Sequence, residues 1–182
     1  MSHGQRGGSP RLELQAQRIE MGAVADAMQW KKSAVFALTD PSQTEFLDWL
    51  RQTPAGLETM NVFKASGVET GPRSLFVLYG WSTSGADDLR RASVDSVIVE
   101  GHSVSVYVSR PQVQLDGMVG GTADMRFVGW EVPLGGVAQG AKYMATLHVR
   151  RDMIRVLMQP SFREEKIVGE GYQKVGEVEF NR

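Results

Sequence analysis

The sequence contains no cysteine, which excludes disulfide bridges, cysteine nucleophiles and thiolate metal ligands. The compartment stays open, because a chain of this size builds its core without covalent staples wherever it resides. Histidine is scarce: the 3 histidines are His3, His102 and His148, and no two stand at a metal-ligand spacing such as H-x-x-x-H. An excess of charge of either sign is also missing. Lys plus Arg number 20 and Asp plus Glu 21, a formal net charge of −1, so there is no global attraction to nucleic acid or to an anionic membrane. No apolar run approaches the ~20 residues a membrane helix needs, and the opening Met1 to Pro10 lacks the apolar centre of a signal peptide. These absences predict a soluble chain with no membrane span, cytoplasmic or exported with its signal outside this sequence.

What is present is an ordinary folded composition of 182 residues, 42% hydrophobic and 23% charged, with 20 glycines to serve turns. The apolar pattern has the two-residue period of strands, which predicts a mainly β protein: an antiparallel β-sandwich or partly open barrel with one or two N-terminal helices. A single β-rich domain is expected over residues 11–160, preceded by a disordered segment, 1–10, and followed by a C-terminal edge strand or tail, 161–182, outside the core.

Leu75 to Tyr79, bounded by Gly71-Pro72 and Gly80, reads as a strand buried on both faces. Together with the hairpin from Ser93 to Val108 it is expected to form the centre of the sheet. Val104, Val106 and Val108 alternate with Ser103, Ser105 and Tyr107, and Glu100-Gly101 supplies the turn. Upstream, Leu12 to Met21 reads as a strand and the Ala-rich run after Gly22 as a short helix. Ser33 to Leu38 is a further strand. Asp40-Pro41, an N-cap followed by proline at the first helical position, starts a helix that carries Phe46, Leu47, Trp49 and Leu50 through Thr53. Asn61 to Ala65 is a brief strand or the approach to the central one. Downstream, Met125 to Val132 is a strand with a bulge or close approach at Gly129, Ala141 to Val149 a half-buried strand, Arg150-Arg-Asp152 a turn, and Met153 to Met158 a continuation of the β character that Pro160 closes.

Catalytic signatures are missing. Thr83-Ser84-Gly85 is not a nucleophile elbow, no phosphate-binding loop occurs, and Gly117 to Gly121 opens no helix after a strand. No cofactor and no metal is expected, and no histidine has an evident partner to set its pKa. Binding chemistry is therefore sought in the two long loops, residues 81–91 and 112–124. The candidate binding residues are Trp81, Asp87, Asp88, Arg90 and Arg91 of the first loop, with Trp130 as a second aromatic. They predict a non-enzymatic domain that binds another protein, not nucleic acid. The alternative is a small-molecule or carbohydrate module that uses the loop aromatics. The oligomeric state is left open.

The helix with Asp40-Pro41 and Trp49, then Leu75 to Gly80, a polar loop containing Gly85, and the strand pair Val94 to Val99 and Val104 to Val108 follow one another in an order that resembles the PrcB-type C-terminal domain of exported bacterial proteins. The passage from Val132-Pro-Leu-Gly to Leu147 is similar to one near the end of many Ig-like β-sandwich modules. Both resemblances imply an accessory or adhesive domain, and neither transfers a catalytic residue.

Overall fold

A computed structural model describes residues 10–23, 34–37, 74–82, 91–115, 126–158 and 160–182. Ten strands occur in them: β1 (Arg11–Leu14), β2 (Gln17–Ala23), β3 (Ala34–Ala37), β4 (Ser74–Ser82), β5 (Ser93–Glu100), β6 (Ser103–Leu115), β7 (Arg126–Pro133), β8 (Lys142–Leu157), β9 (Arg163–Ile167) and β10 (Gln173–Asn181). Among the described residues there is no α-helix and none long and apolar enough to cross a membrane. The helices expected after Gly22 and from Asp40 to Thr53, the brief strand at Asn61 to Ala65, and most of both long loops lie outside the described residues.

The strands form two sheets and, among the described residues, no closed barrel. The larger sheet has the order β1-β5-β6-β8-β10, with β9 also paired to β8; the smaller has the order β2-β7-β4-β3. Leu75 to Tyr79 and the Ser93 to Val108 hairpin are thus interior to different sheets, not the centre of one. Nor is the fold purely antiparallel. β6 and β8 run parallel in unbroken register from Ser103↔Met144 to Leu115↔Val156. A parallel pair needs a crossover, and here the chain makes it through β7 in the opposite sheet.

Strand alternation builds the core. Val104, Val106 and Val108 of β6 and Tyr143, Ala145, Leu147 and Val149 of β8 meet Leu75, Val77, Trp130 and Val132 of the smaller sheet. Leu75, Phe76 and Val77 are all fully buried, the two-sided burial expected of that run. β10 is an edge strand, yet Val178 and fully buried Phe180 belong to the core, against the expectation that residues 161–182 lie outside it. The β5–β6 turn places Gly101 at φ 58, in the left-handed region that glycine enters without penalty at the first position of a two-residue turn. Opposite Val128 to Arg126, the extra residue sits on β4 and on β2, so the irregularity lies in the neighbours of β7 rather than at Gly129.

The predicted turn at Arg150 to Asp152 does not exist: β8 runs straight through it for 16 residues. The apolar positions change parity there, from Tyr143, Ala145, Leu147 and Val149 to Ile154 and Val156, while the register with β6 never slips. The face of the sheet that is covered therefore switches along a single strand. Beyond Ser109 and Val149 both β5 and β10 have ended their pairing, and the larger sheet continues as a three-stranded extension of β6, β8 and β9.

Candidate functional site

β9 and β10 pair with successive halves of β8 along the same edge, and residues 168–172 bridge the gap between them. That bridge sits on the face of the larger sheet turned away from the core, where odd positions of β6 and even positions of β8 place Ser105, Tyr107, Ser109, Thr146, His148, Arg150 and Asp152 in adjacent rows. Arg150 and Asp152 share this face because a strand repeats every two residues.

Asp152 is 1% exposed. Its Oδ1 accepts hydrogen bonds from Arg150 Nε and from the Gly169 amide, each at 2.9 Å, and its Oδ2 accepts one from Arg150 Nη2 at 3.3 Å and faces Lys166 Nζ at 3.4 Å. Burial by itself pushes the Asp152 pKa up, but the bonds from Arg150 and Gly169, the charge of Arg150 and the contact with Lys166 outweigh it and hold the carboxyl below its usual range. Arg150 in turn is held charged by Asp152, and its guanidinium lies 5.0 Å over the Tyr172 ring.

Tyr172 continues the network to the next strands. Its hydroxyl donates to Asp95 Oδ2 at 2.6 Å, and Ser109 donates to Asp95 Oδ1 at 3.0 Å. Asp95 reaches this face because the β5 register shifts between Val94 and Ser96, where it is the extra residue. Burial, followed by the bond to Asp95, pushes the Tyr172 pKa up to about 12. The Tyr107 ring meets Tyr172 edge-on at 5.1 Å and stacks on His148 at 4.9 Å with 17° between planes. Burial and the charge of Lys174 lower the His148 pKa, and Thr146 Oγ1 lies 3.0 Å from its Nε2. His148 thus has partners that its sequence neighbours do not reveal.

This network ties the 168–172 bridge to β5, β6 and β8. Its two carboxylates, Asp95 and Asp152, are spent on internal hydrogen bonds, so its chemistry is that of a clamp. Two surfaces flank it. Toward the Glu100–Ser103 end of the sheet lies a cleft of about 250 Å³ lined by Arg11, Ile98, Glu100, Ser103, Ser105 and Tyr107. Toward the other end the β8–β9 hairpin carries exposed Met153, Met158, Phe162, Ile167 and Val168. Among the described residues no group of three or more His, Asp or Glu side chains is placed to hold a metal ion.

The residues singled out in the sequence do not assemble into one site. Trp130 is 3% exposed and packs in the core, because its register partner Val77 sets it on the inward face. Trp81 is in β4 within the register shift between Tyr79 and Ser82. Asp87, Asp88 and Arg90 lie outside the described residues. Arg91 forms a two-pronged ion pair with Glu164 of β9, both bonds at 2.9 Å. Sequence reasoning missed Tyr107, His148, Arg150, Asp152 and Tyr172. The Arg-x-Asp spacing was the available signal, hidden by the reading of that segment as a turn. No protein-family model matches the chain, and neither does any curated protein or solved structure.

Proposed function

We propose that this is a non-enzymatic binding domain that docks another protein through the exposed hairpin of β8 and β9. The observation that carries the reading is the concentration of exposed apolar side chains there, with Phe162 at 68% and Met158 at 59% exposure. Exposed apolar side chains gathered on one part of a folded domain mark interaction sites, and methionine and aromatic residues are enriched in them. Support also comes from the hairpin's position past the end of the core, where the clamp on Asp152 stiffens its base.

The rim defines the partner's chemistry. Arg151, Arg155 and Arg163 are exposed and share a face with Met153 and Ile167, while Glu165 stands 3.9 Å from Arg155. Exposed apolar side chains interleaved with arginine fit a protein surface that combines apolar and acidic groups.

The test is affinity capture from near-native extract with the wild-type domain and with a Met153→Glu, Phe162→Ser variant shown by circular dichroism to be folded. A stoichiometric protein held by the wild type and lost by the variant is expected. Equal retention by both, self-association in place of a second protein, or a wild-type chain that remains a partnerless monomer would refute the reading.

A further inference from the structure

We infer that the cleft at the Glu100–Ser103 end of the larger sheet is a binding site for a small neutral polyol of monosaccharide size. It is independent of the hairpin surface, which lies at the opposite end of the same sheet. The volume of about 250 Å³ is below that of a pocket for a drug-sized ligand and suits a compound of about a dozen non-hydrogen atoms.

The lining has the mixture such a ligand requires. His148 stacks on the Tyr107 ring from the β8 side, with centroids 4.9 Å apart, about one inter-strand step. The opposite ring face is therefore turned toward β5, where Ile98 completes an apolar wall for the C–H surface of a sugar. Because His148 and Tyr172 hold the ring, it needs no ordering on binding.

The polar groups stand around that wall with capacity to spare. Arg11 Nε and Glu100 Oε1 are 3.9 Å apart, beyond hydrogen-bond length, and both side chains are mostly exposed. A guanidinium donor and a carboxylate acceptor at this separation can engage neighbouring hydroxyls of one ligand, and their opposite charges leave the cleft near neutral, which favours an uncharged ligand over an ion. The Ser103 and Ser105 hydroxyls add groups that both donate and accept, and the bond that Thr146 Oγ1 donates to Ser105 Oγ is a long 3.5 Å.

The experiment is saturation-transfer NMR and calorimetry of the full chain with glucose, galactose, mannose and myo-inositol, with glycine and alanine as zwitterionic probes. Saturable binding of at least one polyol, with Kd on the order of 1–10 mM for so small a ligand, is expected. Arg11→Met and Glu100→Gln, both at exposed side chains, should each weaken it by about tenfold. Binding of no polyol in the panel, saturable binding of the zwitterions instead, or affinities unmoved by both exposed-site variants would overturn the assignment.

Discussion

Replacing Gly169 by alanine places one methyl group where the fold has no room. An added Cβ would stand 1.7 Å from the Arg151 carbonyl oxygen and 2.7 Å from its carbon, both backbone atoms of β8. Neither can swing aside as the end of a flexible side chain would. The 168–170 backbone must instead retreat by more than about 1 Å to reach any tolerable contact, and that retreat breaks the 2.9 Å bond from the Gly169 amide to Asp152. A hydrogen bond to a charged group contributes about 1.5–3 kcal/mol, and a buried carboxylate left short of a donor adds to the loss. We expect Gly169→Ala to destabilise the domain by about 2–4 kcal/mol, a fall in Tm of roughly 4–16 °C for a chain of this size. Gly135→Ala is the control, since its added Cβ meets nothing within 4 Å; it should change stability by no more than about 1 kcal/mol, in the stabilising direction. Urea unfolding followed by tryptophan fluorescence measures both. A Gly169→Ala protein within about 0.5 kcal/mol of wild type would refute the claim that this amide and Asp152 form a tight clamp.

Three further outcomes follow from the same geometry. Asp152 has a folded pKa below its unfolded one, so it stabilises the fold above the unfolded value and that contribution disappears as pH falls through the folded value. Asp152→Asn, which imitates the protonated acid, should therefore cost about 1–3 kcal/mol at neutral pH, with the gap to wild type closing in acid; a gap independent of pH would show that the charge is not the source. Phe180→Ala should destabilise by about 3–5 kcal/mol in urea unfolding, because the ring is fully buried in the core, whereas a near-neutral result would return the C-terminal strand to the status of a tail. Arg91→Ala removes an ion pair whose side chains are 40% and 38% exposed, and solvent screening should keep its cost below about 1 kcal/mol in the same assay.

The strands that could be read from sequence are those whose covering does not change along their length. Val104 to Val108 and Tyr143 to Val149 keep one apolar parity from end to end, and Leu75 to Val77 is apolar on both faces. β8 as a whole could not be read, since a strand buried on one face at its start and on the other at its end produces the parity break of a turn between Val149 and Ile154. Phe180 was hidden by its neighbours: Glu177 and Glu179 make the strand look like a solvated edge, yet its alternate positions fill the core. The parallel β6–β8 pairing joins residues about 40 apart across a crossover, and no local pattern encodes that. The clamp was hidden for the same reason. Asp95, Asp152, Gly169 and Tyr172 meet only once β10 has folded back along β8, and even the nearest pair, Arg150 and Asp152, carries meaning only if the strand is known to continue.

Docking through the β8–β9 hairpin is tested most directly by hydroxyl-radical footprinting of the domain with and without its captured protein partner. Met153, Met158 and Phe162, exposed in the free chain, should be oxidised readily alone and protected several-fold in the complex, while exposed Met144 at the other end of β8 should be labelled equally in both. Unchanged labelling of the hairpin in a complex that protects residues elsewhere would contradict the assignment.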